Sequence, residues 1–359
     1  MTDRAWVATR KGLLELRRHD AQWRIAGQSF LGEPVSMVLP PSADLGGRML
    51  AALNLGHFGV KLQASDDQGQ TWQELPAPVY PPQPANKAGP DWTLGLIWAL
   101  EAAHGRLWAG TLPGGLFVSD DRGGSWSLNE ALWQKPEREQ WFGGGNDAPG
   151  LHSICPHPQR ADELLVAVSC GGVWVSEDGG ADWRLSCEGM RADYMPPELA
   201  DDGATQDPHR IVRSPSSPEV LWCQHHGGQW RSTDGGASWQ ELTSAPLSRF
   251  GFAVAVHPQD ANTAWFAPAV ADQCRVPVGG RLVVNRTRDG GASFETLGQG
   301  LPAADCYDLV YRHGLAVADD GQTLLMGSTT GGLWASMDSG DHWQTVSTTL
   351  PPIYALRLG

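Results

Sequence analysis

No stretch of this sequence approaches the roughly 20 consecutive apolar residues that a membrane-spanning helix needs, so a helical span of the bilayer is excluded. Basic residues are also scarce: 26 Lys and Arg stand against 40 Asp and Glu, a formal charge of -14. With no basic block to offset that charge, a nucleic-acid backbone or an anionic membrane would be repelled on average, and neither is expected as a partner. The six cysteines, Cys155, Cys170, Cys187, Cys223, Cys274 and Cys306, contain no CxxC pair. A reducing compartment would keep them as thiols, and they read mostly as small core residues. The opening residues, Met1-Thr2-Asp3-Arg4-Ala5-Trp6-Val7-Ala8, enter a strand-like pattern without a basic segment followed by an apolar one, so the expected location is the cytoplasm.

Nucleotide chemistry lacks its usual signatures too. There is no Walker loop, GxSxG elbow, kinase set or Rossmann fingerprint. The Gly-Gly pairs at 114–115, 171–172, 227–228 and 331–332 read as hairpin turns, and none opens a helix that could hold phosphate.

What the chain does have is 44 Gly, 26 Pro and 17 Trp, with no long helical apolar stripe. That composition reads as all-β, with many short strands joined by tight turns. A length of 359 residues would suggest two domains unless a repeat accounts for it. A repeat does. Ser65-Asp66-Asp67-Gln68-Gly69-Gln70-Thr71-Trp72 recurs in kind at 119–126, 176–183, 232–239, 287–294 and 336–343, each copy following Ser/Thr-x-Asp-x-Gly-x-x-aromatic. The aspartates Asp67, Asp121, Asp178, Asp234, Asp289 and Asp338 are 49 to 57 residues apart, about the length of one four-stranded propeller blade. Local physics explains each residue type. Asp accepts backbone N–H groups inside the turn, Gly takes a positive φ, and the aromatic packs between sheets. All six boxes therefore read as scaffold.

Blade three sets the strand pattern, with expected strands at 151–157, 164–169, 173–176 and 183–186. Six boxes make six blades. A seventh is expected from residues 1–30, with strands at 6–9, 13–16 and 23–25, joined by the C-terminal strand within 352–359, which closes the ring and removes free sheet edges. The expectation is a single domain over 1–359, an all-β seven-bladed β-propeller whose N-terminal strands pair with its C-terminal one.

With these boxes the chain resembles the BNR/Asp-box propellers over essentially its whole length. That superfamily spans sialidases, sortilin-type receptor domains and photosystem II assembly-factor-like proteins. Within it the sequence is most similar to bacterial cytoplasmic proteins described as sialidase-like or BNR-repeat glycosyl hydrolases. The matching segments are Gly56-His57-Phe58-Gly59, Pro149-Gly150-Leu151-His152-Ser153, Asp207-Pro208-His209-Arg210 and His225-His226-Gly227-Gly228. For a sialidase the resemblance would imply an Arg-Ile-Pro element, an arginine triad, a Tyr/Glu nucleophile pair and an acidic general acid. No Arg-Ile-Pro occurs, and nothing marks Arg10, Arg210 and Arg249 as a triad, so sialidase activity is not expected.

In a propeller the loops opposite the box turns carry the function, and the long inserts at 80–91, 133–149, 190–207 and 270–280 fall on that face, walling the mouth of a central channel. Aligning inner strands on their apolar residues puts Ser36, Gly95, His152, His209, Phe250, Tyr307 and Tyr354 at one level. The turns after the second strands add Arg10, His57, Cys170, His225 and His226. Imidazoles converging from separate strands suit Zn, Mn, Fe or Cu with positions open to water or substrate, and His57, His152, His209 and His226 are the expected ligands. His225 is the less suited of its pair, because adjacent strand residues face opposite ways. The alternative for these histidines is a hydrogen-bonded plug in a narrow channel.

His157 and His257, each before a proline, read as turn residues, and His19, His104, His313 and His342 as solvated positions. Candidate groups for proton transfer or substrate contact are Asp91, Asp147, Glu198, Asp207 and Arg10, with Tyr194, Tyr307 and Tyr354 as phenolic partners. Trp92 and Trp141 are read either as cavity lining or as blade packing. The functional expectation is a metal-assisted hydrolase acting on a small molecule. A non-catalytic scaffold holding a ligand or protein partner at the loop face is the first alternative, and a metal-independent glycosidase is the second.

Overall fold

The repeated turn folds as its residue types require. In all six boxes the Ser or Thr hydroxyl donates to Asp Oδ1 and accepts the N–H of the box glycine, each bond 2.7–2.9 Å long. The same Oδ1 accepts the backbone N–H four residues on at 2.8–3.0 Å. The box glycines sit at φ of 89–96°, a region that side chains with a Cβ rarely occupy. These bonds favour the charged carboxylate: the Thr or Ser hydroxyls and backbone N–H groups hold Asp67, Asp121 and Asp289 down at about 2.

The computed structural model describes residues 3–85, 89–144 and 146–359, so residues 86–88 and 145, inside the inserts at 80–91 and 133–149, lie outside the described residues. Its strands form seven four-stranded antiparallel sheets, the blades of a seven-bladed β-propeller. Among the described residues the helical segments are one α-turn at Glu130–Trp133 and short 3-10 turns. The chain divides into two compact units: Ser36–Pro208, and Met1–Val35 with His209–Gly359.

In the first unit, blade three runs Leu151–Pro156, Leu164–Val168, Gly172–Ser176 and Arg184–Leu185, within two residues of the expected limits. Its core stacks Trp108, Trp174 and Trp183 with Leu151, Val166 and Leu116. Trp141 belongs to this core, 6 % exposed and edge-on to Trp174 at 5.8 Å, which makes it a packing residue. At about 25 cal/mol per Å2, burying 150–250 Å2 of one tryptophan contributes roughly 4–6 kcal/mol as an upper estimate.

In the second unit, Ile353–Leu358 pairs antiparallel with Arg4–Thr9, which continues into Gly12–His19 and Gln22–Ser29, giving the shared blade. Trp23, the survivor of the degenerate box, is buried with Leu16, Leu325 and Leu356. The inner strand of blade six corrects the expected alignment. It is Leu315–Val317, eight residues beyond Tyr307, because the stretch before it is bent by Asp308 bonding to Ser328 and Thr330 and by the Gly314 N–H bonding to the Tyr311 carbonyl. Tyr307 is consequently 71 % exposed. His313, read as solvated, is 3 % exposed and bridges to Ala355 beside that strand.

His157 and His257 act as the turn residues expected of them. Each Nδ1 accepts the N–H groups two and three residues ahead at 3.0–3.1 Å. Cys155, Cys170, Cys187, Cys223 and Cys306 are buried thiols, and Cys274 is exposed.

Candidate functional site

Three inner strands enter their blades through β-bulges. In blades two, three and five the pairing register skips Trp98, His152 and Phe252, so these three residues occupy equivalent bulge positions. A bulge re-aims a side chain at the end of a strand, a device common beside functional sites. The place assigned to Gly95 and Phe250 by apolar alignment with His152 belongs by register to Trp98 and Phe252, three and two residues further on.

Blade four carries the cluster. Its strands are Pro208–Arg213, Leu221–His225, Gly228–Ser232 and Gln240–Glu241. His209 is the second residue of the first strand, and His226 lies in the two-residue turn closed by the His225–Gly228 pair. Asp207 immediately precedes that first strand, so Asp207-Pro208-His209 is one continuous lead-in to a single sheet. His209 and His226 meet with their ring centroids 5.4 Å apart, and Asp207 stands two residues ahead of His209 in the chain. Asp207 is 2 % and His209 1 % exposed, and His226 is half-buried.

Hydrogen bonds orient two of these groups. His209 Nδ1 lies 2.6 Å from the Gly251 carbonyl. A carbonyl only accepts, so Nδ1 carries the proton and Nε2 the lone pair, the tautomer of a metal-ligating imidazole. The Cys170 N–H donates to Asp207 Oδ1 at 3.1 Å. Cys170 itself holds a positive φ of 46°, uncommon for a side chain with a Cβ. Gly144 allows the 133–149 insert to close on this point: a Cβ there would sit 2.5 Å from Cys170 Sγ and 3.1 Å from Asp207 Oδ2.

Apolar rings surround the histidine pair. His209 stacks on Phe252 at 4.4 Å and 13°, and His226 meets His209 at 5.4 Å and Phe250 at 5.6 Å, both edge-on. His225 faces elsewhere, packed on Trp230 at 4.7 Å with Nδ1 accepting the Gly227 N–H.

The other expected residues are placed as follows. His57 lies in an exposed 3-10 turn against Phe58, and His152 is fully buried against Trp98 with Nδ1 3.0 Å from Ser153 Oγ. Neither is part of the Asp207, His209 and His226 group. Asp91, Asp147 and Glu198 are exposed on their loops. Arg10 is exposed, its N–H bonded to the Pro352 carbonyl, and Arg249 pairs with Glu241. The Tyr194 hydroxyl donates to the Thr205 carbonyl at 2.9 Å, and burial first, then Asp207 and Cys170, push that phenol well above its ordinary range. Burial also raises the Tyr354 phenol, an effect Arg10 opposes. Trp92 packs edge-on to Trp133 at 5.2 Å, with the Arg138 guanidinium over both rings.

Fold and cluster together define a seven-bladed β-propeller carrying two histidines and one carboxylate at the head of one blade. No family model matches the sequence, and no curated protein matches it. Solved structures do. A GH74 xyloglucanase from Xanthomonas campestris aligns with 97 % of this chain and 53 % of its own at 18 % identity and a TM-score of 0.65. A candidate 6-phosphogluconolactonase from Bacteroides fragilis aligns over 99 % and 97 % at 14 % identity and a TM-score of 0.61. YCF48 bound to D1 peptide aligns over 89 % and 84 % at 14 % identity and a TM-score of 0.54. The chain thus spans about half the length of the xyloglucanase. At these identities the likeness is one of fold.

Proposed function

We propose that the protein is a metal-dependent hydrolase acting on a small molecule, its ion held by Asp207, His209 and His226. The observation that carries this reading is the meeting of the His209 and His226 rings at 5.4 Å, just after the buried carboxylate of Asp207 in the chain. Two imidazoles and one carboxylate suit Zn, Mn, Fe or Cu and leave positions open for water and substrate. When bound, such an ion acidifies water and polarises a carbonyl or phosphoryl oxygen. The chain's own groups do the positioning. The Gly251 carbonyl fixes the His209 tautomer, the Cys170 N–H fixes the Asp207 carboxylate, and Phe250 and Phe252 supply a low-dielectric wall beside the imidazoles. Neighbours named as a xyloglucanase and a candidate lactonase support hydrolysis over other uses of the metal.

The test is a screen of carboxylic esters, lactones and phosphoesters with chelated protein, then with Zn or Mn restored. Activity that follows the metal and vanishes in His209→Ala and His226→Ala supports the reading. Activity insensitive to both sinks it.

A second reading is a propeller that docks a peptide. It draws on the YCF48 structure with its D1 peptide, and on apolar side chains left exposed on loops: Phe58 and Val79 in one unit, Leu247 and Tyr307 in the other. Metal-free protein that is folded and binds peptides would favour it.

A further inference from the structure

Phe252 connects the histidine cluster to two arginines. Its ring stacks on His209 at 4.4 Å, and the guanidinium carbons of Arg275 and Arg312 each lie 5.4 Å from the same ring's centroid. These steps put both cations within roughly 10 Å of the His209 ring, the screening length of 0.1 M salt. Arg312 is 6 % exposed in the lead-in to blade six, and Arg275 comes from the 270–280 insert, whose turn is held by Ala271 pairing with Cys274. Asp272 is the carboxylate facing Arg275, bonded through Nε and Nη2, and Tyr311 packs edge-on to Phe252 at 5.0 Å. Asp272 offsets the charge of Arg275, and Arg312 adds a further cation beside the same ring. A divalent ion on two neutral imidazoles and one carboxylate would add further positive charge. A guanidinium's planar fork matches a carboxylate or phosphate, and a site walled by phenyl rings strengthens that attraction.

We infer that the site takes a substrate bearing an anionic group, a carboxylate or a phosphate, which Arg312 and Arg275 hold while the bond to be broken faces His209 and His226. The inference rests on the hydrolase reading above, and it deepens that reading by naming the substrate class. The arginines are binding residues here, and the imidazoles keep their metal-holding role.

The experiment is calorimetric titration of inorganic phosphate and of acetate, at low salt, into zinc-loaded wild type, Arg312→Gln, Arg275→Gln and Arg312→Lys. Zinc content is measured on every sample. Wild type is expected to bind at least one anion. Both Gln variants should bind it at least tenfold more weakly at unchanged zinc content, and Arg312→Lys should recover part of the loss. Tighter phosphate than acetate identifies a phosphorylated substrate, and the reverse order a carboxylate. Gln variants that bind like wild type, or a wild type that binds neither anion, overturn the inference. If wild type takes up no zinc, the metal reading fails by itself. The same titrations on metal-free protein then decide the anion site, which is sustained by loss in both Gln variants and overturned by its absence.

Discussion

His209 donates its Nδ1 proton to the backbone carbonyl of Gly251, 2.6 Å away on the inner strand of the next blade. A main-chain acceptor cannot rotate away, so the imidazole is held with its proton on Nδ1 and its lone pair on Nε2. Gly251 is suited to this position because a Cβ there would lie 2.5 Å from the Ala267 carbonyl. Gly251→Ala is therefore expected to displace the carbonyl and lower zinc affinity about 10–100-fold. Competition against a chromophoric chelator measures this, and a folded variant with wild-type affinity would show that the carbonyl plays no part.

The box serines are expected to matter more than their exposed aspartates. Ser176 Oγ is buried and accepts the Gly180 N–H at 2.8 Å while donating to Asp178. Ser176→Ala leaves a buried donor without its acceptor and should destabilise the protein by about 1–3 kcal/mol, read from chemical denaturation. A change within a few tenths of a kcal/mol would mean that the turn is held by other contacts.

Acid should loosen the turns over a defined range. Asp67, Asp121 and Asp289 are held at about 2 by hydroxyl and backbone donors, and Asp178, Asp234, Asp260, Asp320 and Asp338 are shifted the same way. An unfolded Asp titrates near 3.9, so the stability these groups contribute is complete above about pH 4 and is lost as pH falls toward 2. Melting temperature should hold steady from pH 7 to about 5 and drop steeply between about 4 and 2. The drop should be shallower in Asp67→Asn/Asp121→Asn/Asp289→Asn. A melting temperature that stays level down to pH 2 would refute the assignment.

Trp265 is fully buried and ties blades five and six, its Nε1 donating to the Ser339 carbonyl at 2.9 Å within a cluster that includes Trp334 and Trp343. Trp265→Ala is expected to cost about 3–5 kcal/mol, the usual range for emptying an aromatic site in a packed core. Tolerance of the change in thermal melts would mean that the blade interface is looser than its packing implies.

The propeller was legible in the sequence because its information is local. Ser176, Asp178, Gly180 and Trp183 perform their roles within eight residues, and six such copies in register name the fold. The inner strand of blade six was misplaced at Tyr307 because nothing local marks a strand of three residues, and Asp308 sets its start through long-range bonds to Ser328 and Thr330. The site was legible only in part. His209 and His226 stood out as imidazoles in equivalent turns and strands, and Asp207 as a loop carboxylate, though read for proton transfer and not as a metal ligand. Gly251, Phe252, Arg275 and Arg312 carried no signal, since each joins the cluster by packing against residues distant in sequence. His57 and His152 matched the same sequence pattern, but His57 sits in an exposed turn against Phe58 and His152 packs on Trp98 beside Ser153.

Metal content by mass spectrometry on untagged protein tests the central claim most directly. Wild type and the His57→Ala/His152→Ala variant should each hold close to one divalent transition-metal ion per chain, and Asp207→Ala, His209→Ala and His226→Ala should lose it. Folded wild-type protein free of metal, or variants at Asp207, His209 and His226 that retain it, would contradict the metal site.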